Sequence, residues 1–370
     1  MNDFIIVALV MAAGYLLGRV TVKGLSFGTA GVLLAALVFG HFGLVAPSLI
    51  KNLGLICFVT AVGIIAGPTF FGNFKKGAFQ YIFLGIVTIL AGAGTCVAVI
   101  KLFGISTPLA LGLMNGALTS TPGLAAALEA TGDPIASIGY GIAYPFGVLG
   151  VVLFVQLIPR ALKNDIQGEV LAMEQVSADH VHLKPTGIAI EPLGIFVFAL
   201  AVVLGLLLGG ISIPLGSGGS FSLGTSGGPL ISGLLLGHLG RNGCRFFSVK
   251  KSTMETLREV GLSCFLLGAG TEAGKGFVSV LSEQGVELFL YGALITLLPM
   301  AVSFLIARKA LRLQTMSALG SLCGGMTSTP ALGALISVAG SDVIATAYAA
   351  TYPIALVMVV LLTQFISILC

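Results

Sequence analysis

The sequence predicts an all-α integral membrane protein composed of two inverted-topology repeats, each with five membrane spans and one re-entrant hairpin. Three observations lead to this fold class: the composition, an internal repeat and the placement of basic residues. The 370-residue chain is 56% hydrophobic and only 9% charged, and its mean hydropathy is +1.08. Such a composition is far from that of a soluble domain, so lipid must be the main solvent of the folded chain.

Stretches without charged residues supply the predicted spans, because a hydrocarbon core of roughly 30 Å needs about 20 apolar residues per helix. The N-terminal stretch has an acid and no basic flank before its apolar residues, so we interpret it as a retained first span rather than a cleaved signal peptide. The ten expected spans are 4–22, 27–46, 53–72, 78–100 and 134–158 in the first unit, and 188–208, 222–240, 260–281, 287–307 and 343–367 in the second.

An internal repeat relates the two units. The segment GALTSTPGLAAALEATG at 116–132 aligns without a gap with GGMTSTPALGALISVAG at 324–340, at an offset of 208 residues. The same offset carries Tyr140 and Tyr144 onto Tyr348 and Tyr352. Two further matches upstream, FGTAG with LGTSG and NLGLICF with EVGLSCF, keep the same order. Collinear matches of this kind indicate a repeat, and an odd number of spans in each unit forces the second to be inverted.

The basic residues give the orientation, because basic loops prefer the cytoplasm. With the N-terminus outside, fifteen of the 18 basic residues fall on the cytoplasmic side. Treating the TSTP segments as full crossings would scramble this bias, so we interpret them as re-entrant hairpins. The expected protein is a multi-pass protein of the bacterial inner membrane with both termini outside. Its units are 1–160 and 188–370, and the cytoplasmic linker 161–187 between them is too short for a folded domain.

Two Thr-Ser-Thr-Pro segments carry the predicted substrate site. Proline removes a backbone donor and disfavours helix in the residue before it, so a helix should break at each segment. Paired interruptions in inverted repeats point to a site near the midplane, and exposed helix N-termini with hydroxyl groups suit a carboxylate. The alternative is that the segments merely kink two helices and bond to their own backbone. The predicted substrate-binding residues are Asn115, Thr119, Ser120, Thr121, Pro122, Gly123, Tyr144, Thr327, Ser328, Thr329, Pro330 and Tyr352.

Other polar and small residues in the spans have a structural and a functional interpretation. Glu272 lies in mid-span, where an acid is costly and often functional, and Lys275 lies on the same helix face, so the two form a candidate charge-coupling pair or a purely structural ion pair. Glu129, Asp133 and Asp342 either line an entrance or cap helices, and capping is the expectation for the two aspartates. Glycines of the third spans are expected to allow close helix packing or to line the pathway: Gly63, Gly67, Gly270 and Gly274.

Several classes of protein are excluded or remain as alternatives. The sequence has no phosphate-binding GxxxxGKST loop, no metal-spaced histidine pair and no GxSxG elbow, so we expect a transporter without enzymatic activity, cofactor or metal. The expected partners are a small carboxylate or amino-acid substrate and the lipid bilayer, without nucleic acid, and we expect a homodimer. An ion-coupled organic-acid exporter, a channel and a membrane-embedded sensor remain as alternatives.

Five motifs in order resemble the aspartate:alanine exchanger family, including its permease members. They are GLICFVTAVGIIAGPTFF, GALTSTPGLAAALEATG, ISIPLGSGGSFSLGTSGGPLISGLLLG, REVGLSCFLLGAGTEAG and GGMTSTPALGAL. The resemblance covers nearly the whole chain. It implies a secondary antiporter that exchanges amino acids, with aspartate and alanine as the known pair, and a periplasmic N-terminus. The family's hairpin motif falls on 116–123 and 324–331.

The linker departs from the pattern of this family. Many members insert paired cytoplasmic regulatory domains, similar to those of potassium channels, between the two halves. The segment 161–187 leaves no room for such domains. Either the chain is a compact member or a middle segment is missing from the sequence, and we do not expect regulation by these domains.

Overall fold

The computed structural model describes residues 3–22, 25–26, 30–72, 79–162, 166–177, 191–215, 219–241, 245–247 and 249–370. Helices account for most of this part of the chain. The first half contains α1 (Asp3–Gly18), β1 (Thr21–Val22), β2 (Leu25–Ser26), α2 (Ala30–His41), α3 (Ser48–Gly72), α4 (Phe79–Phe103), α5 (Thr107–Ala117), α6 (Thr121–Thr131) and α7 (Ile135–Ala161).

The second half repeats this order of elements after a linker helix. It contains α9 (Ile195–Gly209), β3 (Ser212–Leu215), β4 (Gly219–Ser222), α10 (Gly224–Arg241), α11 (Lys251–Leu305), α12 (Thr315–Gly325), α13 (Thr329–Ala339) and α14 (Ala345–Leu369). The linker helix α8 spans Ile166–Ser177. One long helix, α11, stands where the first half has the two helices α3 and α4.

Five helices in the described ranges are long and apolar enough to cross a membrane. These stretches are Ser48–Pro68, Phe79–Phe103, Ile135–Ala161, Gly285–Ala310 and Ala345–Leu369. Shorter apolar helices include Asp3–Gly18, Gly31–His41 and Ile195–Gly209. The chain is therefore built as a multi-pass membrane protein, and the full set of ten spans stays a prediction.

The structure differs from the all-α prediction by two small antiparallel β-hairpins. In the first, Thr21 pairs with Ser26, and in the second Ser212 pairs with Ser222. The first hairpin joins α1 to α2 and the second joins α9 to α10. Consequently the predicted span 4–22 ends as a helix at Gly18. A run of apolar residues does not distinguish a short strand from the end of a helix.

The predicted spans 260–281 and 287–307 are not two separate helices. They form parts of the single 55-residue helix α11. The intervening residues 282–286 read Ser-Glu-Gln-Gly-Val and contain no proline, so every residue can keep its backbone donor within the helix. At about 1.5 Å per residue, α11 is more than twice as long as the hydrocarbon core is thick.

The third helix of each half packs closely on the second helix of the other half. A methyl group on Gly63 of α3 would lie 2.4 Å from the carbonyl oxygen of Leu230 in α10. In the same way, a methyl group on Gly274 of α11 would lie 2.5 Å from the carbonyl oxygen of Leu37 in α2. Gly67 and Gly270 make the corresponding contacts on the same two helix pairs. Glycine at these positions lets the backbones touch.

The linker contacts the second half through α8. The carboxylate of Glu169 accepts a hydrogen bond of 2.7 Å from the backbone N–H of Met316, in the first turn of α12. Negative charge at a helix N-terminus is favourable, so this contact fastens the linker helix to α12. Residues 163–165 and 178–187 of the predicted linker lie outside the described residues.

Candidate functional site

Each Thr-Ser-Thr-Pro segment interrupts a helix with a left-handed residue. We call residues 118–120 the first tip and residues 326–328 the second tip. Thr119 has φ 54° and Thr327 has φ 49°, a backbone conformation that is rare for a β-branched residue. The N–H groups of Thr119 and Ser120 bond to the carbonyls of Gly116 and Asn115, at 2.9 and 2.8 Å. This pattern is a Schellman end of α5, and the second tip ends α12 in the same way.

The first tip lies about halfway along α7. A methyl group on Gly112 of α5 would be 2.1 Å from the carbonyl oxygen of Ala136, and one on Gly147 would be 2.7 Å from that of Ala117. Hence α5 runs beside the first half of α7 and ends near Gly147, the thirteenth of the 27 residues of α7. Because α7 begins shortly after α6, the chain must reverse direction at the tip.

The two tips bond to each other. The hydroxyl of Thr119 donates to the carbonyl oxygen of Met326 at 2.9 Å, and the hydroxyl of Thr327 donates to the carbonyl oxygen of Leu118 at 2.8 Å. Both pairs are related by the 208-residue offset of the sequence repeat. The two predicted site segments therefore meet, although they lie more than 200 residues apart in sequence.

At the start of each helix that follows a tip, a threonine hydroxyl lies within hydrogen-bond distance of a tyrosine hydroxyl. The hydroxyls of Thr121 and Tyr140 lie 3.0 Å apart, and those of Thr329 and Tyr348 lie 3.2 Å apart. Tyr140 and Tyr348 were not among the predicted site residues, although the repeat offset already pairs them. The predicted residues Tyr144 and Tyr352 pack on these rings, with centroid separations of 5.3 and 5.1 Å.

The serine hydroxyls of the two tips differ in their hydrogen bonds. The hydroxyl of Ser120 accepts a hydrogen bond of 3.3 Å from the backbone N–H of Gly123 and so caps α6. Ser328 is fully buried, and its hydroxyl has no hydrogen-bond partner among the residues that the structure describes. A buried polar group without a partner is costly. Among the threonine and serine hydroxyls of the two segments in the described part of the chain, Ser328 therefore carries the buried one without a partner.

The first residues of the helices that follow the tips differ in exposure. Thr329 and Pro330, which follow the second tip, are exposed, whereas Thr121 is half-buried and Pro122 is buried. The start of α13 is therefore open, and the start of α6 is closed by its neighbours.

Asn115 lies directly below the first tip in the last turn of α5. Its buried amide donates to the carbonyl oxygen of Leu111 at 2.9 Å and to the hydroxyl of Thr363 at 3.2 Å. Thr363 belongs to α14, so this residue links the two halves of the chain. The position that corresponds to Asn115 in the second half is Cys323.

The mid-span acid has a different partner from the predicted one. Glu272 forms its ion pair with Lys51 of α3, with an N–O distance of 2.5 Å, and Lys275 is exposed. The prediction of a Glu272–Lys275 pair was wrong, because helical spacing reports neighbours on the same helix and not the cation that another helix brings closer.

Two of the three acids that follow the hairpins, Asp133 and Glu129, bind helix N-termini. Asp133 accepts a hydrogen bond of 2.9 Å from the N–H of Ile135, the first residue of α7, although the N-cap position itself is Pro134. This contact agrees with the expected role of Asp133 at a helix start, and capping by Asp342 stays a prediction. The carboxylate of Glu129 accepts from the N–H and the hydroxyl of Ser226, at 3.1 and 2.8 Å, and from the N–H of Thr225. Glu129 thereby caps α10 of the other half, a contact that local sequence does not indicate.

A groove between α9 and α10 shares no residue with the tips. Apolar side chains dominate its lining, including Leu204, Leu207, Leu235 and Leu239. This surface suits acyl chains better than a carboxylate, so we do not assign the substrate site to it.

Several long apolar helices and two helix interruptions in mutual contact define a multi-pass membrane transport protein. The family model Asp-Al_Ex, described as Predicted Permease Membrane Region, matches residues 6–160 and 197–368. This chain therefore belongs to the Asp-Al_Ex family of membrane permeases. The match confirms the resemblance that the motifs indicated.

The chain is similar to proteins named as transporters in several bacteria. It is 30% identical to an uncharacterized transporter of Bacteroides fragilis, with 97% of each chain covered. It is 28% identical to an uncharacterized transporter of Rhodopirellula baltica, with 97% of this chain and 98% of the relative covered. For an uncharacterized transporter of Geobacter sulfurreducens, the identity is 26% with 99% and 98% covered. These relatives support a transporter and not an enzyme.

Proposed function

We propose that this transporter is a secondary active antiporter that exchanges small carboxylate substrates, most simply amino acids of the aspartate and alanine type. The observation that carries the proposal is the reciprocal contact of the two tips, through Thr119 with Met326 and Thr327 with Leu118. Two helix interruptions that meet halfway along a spanning helix are the arrangement in which transporters hold a substrate at the midplane.

A carboxylate is the ligand that this arrangement favours. Helices α6 and α13 both begin at the tips, so the positive ends of their dipoles converge on the region between the two halves. The unpartnered hydroxyl of Ser328 adds a donor at the start of α13. The proposed substrate-binding set is the predicted one, with Asn115, Tyr144 and Tyr352 shaping the walls around the two tips.

The proposed architecture is a pair of inverted repeats with five spans and a re-entrant hairpin each. The repeated order of elements supports a duplication. The five spans in each repeat and the inversion stay part of the proposal, because α11 joins two of the expected spans in one helix. The repeats correspond to 1–160 and 188–370, and both termini are proposed to lie outside the bacterial inner membrane. The homodimer stays a prediction.

Alternating access is the proposed mechanism. In the present arrangement the start of α13 is open and the start of α6 is closed. Because the halves are related by the repeat, the opposite state would expose Thr121 and Pro122 and bury Thr329 and Pro330. The tips would then offer the same substrate alternately to the two sides of the membrane.

The experiment is exchange in liposomes that contain the purified protein. Liposomes loaded with L-alanine or L-aspartate should take up external labelled L-aspartate faster than empty ones, with saturation. Uptake that instead required a cation gradient would indicate the ion-coupled exporter, and unsaturable flux without stimulation by internal substrate would indicate a channel. Either result would overturn the proposed exchange.

A pair of serine variants on α13 tests the site. Ser328→Ala removes the unpartnered hydroxyl at the second tip and should weaken exchange. The control is Ser337→Ala on the same helix, whose exposed hydroxyl donates only to the carbonyl of Gly333 at 3.0 Å, and it should exchange normally. Equal exchange activity of the two variants would show that Ser328 is not part of the substrate site.

A further inference from the structure

The last turn of α6 is bound to the first turn of α10 in the other half. The carboxylate of Glu129 accepts hydrogen bonds from the hydroxyl and the N–H of Ser226, at 2.8 and 3.1 Å, and from the N–H of Thr225. Gly224 leaves room for this carboxylate, because a Cβ atom there would lie 2.3 Å from Oε1 of Glu129. A negative charge is favourable at this helix start.

A side chain of α14 binds the same stretch of chain. The amide of Gln364 donates to the carbonyl oxygen of Leu223 at 3.1 Å, and Leu223 is the residue directly before α10. Gln364 is buried. Helices α6 and α14, which also pack on each other, therefore both bind residues 223–226 at the start of α10.

The residue beside Gln364 connects α14 to α5. Thr363 accepts a hydrogen bond of 3.2 Å from the side-chain amide of Asn115, and both residues are fully buried. The contacts thus form a closed circuit that runs from α5 to α14, from α14 to α10, and from α10 back to α6. We call this set of hydrogen bonds the clamp; its four side chains are Asn115, Glu129, Thr363 and Gln364.

The helices on either side of the second tip do not have the same set of side chains. At the 208-residue offset, three clamp residues are replaced: Asn115 by Cys323, Glu129 by Ser337 and Thr363 by Val155. Valine has no hydrogen-bonding group in its side chain, and a thiol is a weak donor. The hydroxyl of Ser337 donates within its own helix, to the carbonyl oxygen of Gly333 at 3.0 Å. The clamp is therefore specific to α5 and α6.

The clamp belongs to one arrangement of the protein. In this arrangement Thr329, at the start of α13, is exposed, and Pro122, at the start of α6, is buried. Opening the start of α6 would require this helix to move relative to α10 or α14, and such a movement would break clamp contacts. Interactions that are made in only one of two states shift the equilibrium toward that state.

We propose that the clamp makes the arrangement with α6 closed and α13 open the resting state of the substrate-free transporter. The inference rests on the proposed alternating access and adds to it the contacts that make its two states unequal in free energy. The clamp must then open once in every transport cycle, so Glu129 and Gln364 are positioning residues that do not touch the substrate.

Hydrogen–deuterium exchange of the purified full-length protein without substrate tests the clamp. In Glu129→Gln we expect the amides of residues 123–128 to exchange roughly fivefold to tenfold faster, the factor that corresponds to the loss of a helix cap. The amides of residues 331–336 should exchange about twofold more slowly, because the start of α13 closes as that of α6 opens. A merely structural loss would raise the first rate without lowering the second.

A second clamp variant and a matched control accompany this measurement. Gln364→Leu removes the other contact with the start of α10 and should change both exchange rates in the same directions as Glu129→Gln. Asp133→Asn is the control, because Asp133 also binds a helix start, through Ile135 at 2.9 Å, but that helix is α7. Its exchange rates should equal those of the unmodified protein. Thermal unfolding identifies a variant that fails to fold.

The outcomes distinguish the clamp from the proposed function. Opposite changes at α6 and α13 in both clamp variants support the proposed resting state. If the two folded variants exchange deuterium as the unmodified protein does, or if both segments exchange faster, the role of the clamp is overturned and the antiporter stands. If liposomes with the unmodified protein do not exchange L-aspartate, the proposed function fails whatever the amide rates are.

Discussion

The side-chain oxygen of Asn115 occupies the space that a side chain on Gly123 would need: a Cβ atom there would lie 1.8 Å from Oδ1. At the corresponding positions the second half has Cys323 and Ala331. In the second half the smaller Cys323 thus takes the place of Asn115, and the larger Ala331 takes the place of Gly123. The two halves therefore fill the corresponding space with different pairs of residues.

This relationship predicts a compensating pair of substitutions. Gly123→Ala should destabilise the protein by about 1–3 kcal/mol, because the added methyl overpacks a buried site. The double variant Asn115→Cys with Gly123→Ala copies the second half and should recover part of that loss. Denaturant unfolding in detergent measures both, and the prediction fails if the two substitutions are additive.

The positive φ of Thr119 predicts which of two substitutions at this residue destabilises the protein less. Thr119→Gly and Thr119→Ala both lose the hydrogen bond to Met326, but only glycine adopts positive φ without steric cost. The glycine variant should therefore be more stable than the alanine variant by about 1 kcal/mol. Thermal unfolding of the two variants checks this, and an alanine variant of equal or greater stability would contradict the strain argument. The same order is expected at Thr327.

The inter-half ion pair predicts coupling between Lys51 and Glu272. Lys51→Gln and Glu272→Gln each leave a partly buried charge without its partner, so the double variant should cost less than the sum by about 1 kcal/mol. Lys275→Gln should change the free energy of unfolding by less than about 0.5 kcal/mol, since Lys275 is exposed. A thermodynamic cycle with Lys275 in place of Lys51 is the control, and coupling of equal size there would refute the observed pairing.

The contact between Glu129 and α10 predicts a loss of stability on neutralisation. Glu129→Gln weakens three hydrogen bonds at the N-terminus of α10 and should cost about 1 kcal/mol, as for other helix caps. Glu255→Gln, which disrupts only the exposed pair with Lys251, should cost little. The prediction is contradicted if both variants unfold at the same denaturant concentration.

The positions of the two tips could be predicted from the sequence because the signal is local and occurs in both repeats. Proline and its preceding residue constrain the backbone, and the 208-residue offset repeats the signal, so the ends of α5 and α12 and the starts of α6 and α13 follow the predicted breaks. The β-hairpins were missed because their four strands are only two or four residues long. The continuity of α11 was missed because a short polar stretch resembles a loop unless its helical hydrogen bonds are known.

The side-chain partners could not be predicted in the same way. Glu272 and Lys51 are separated by 221 residues, and only the crossing of α3 and α11 brings them together. The sequence repeat places the neutral Ile65 at the position that corresponds to Glu272, so it gives no sign of this ion pair.

The interlocked packing of α3 on α10 and α11 on α2 has a consequence for biogenesis. A ribosome that has translated residues up to 162 has produced glycine-lined helix faces whose partners do not yet exist. Assembly in the bilayer must wait for the later helices, so a truncated product would present narrow, uncovered grooves to lipid or to another nascent copy.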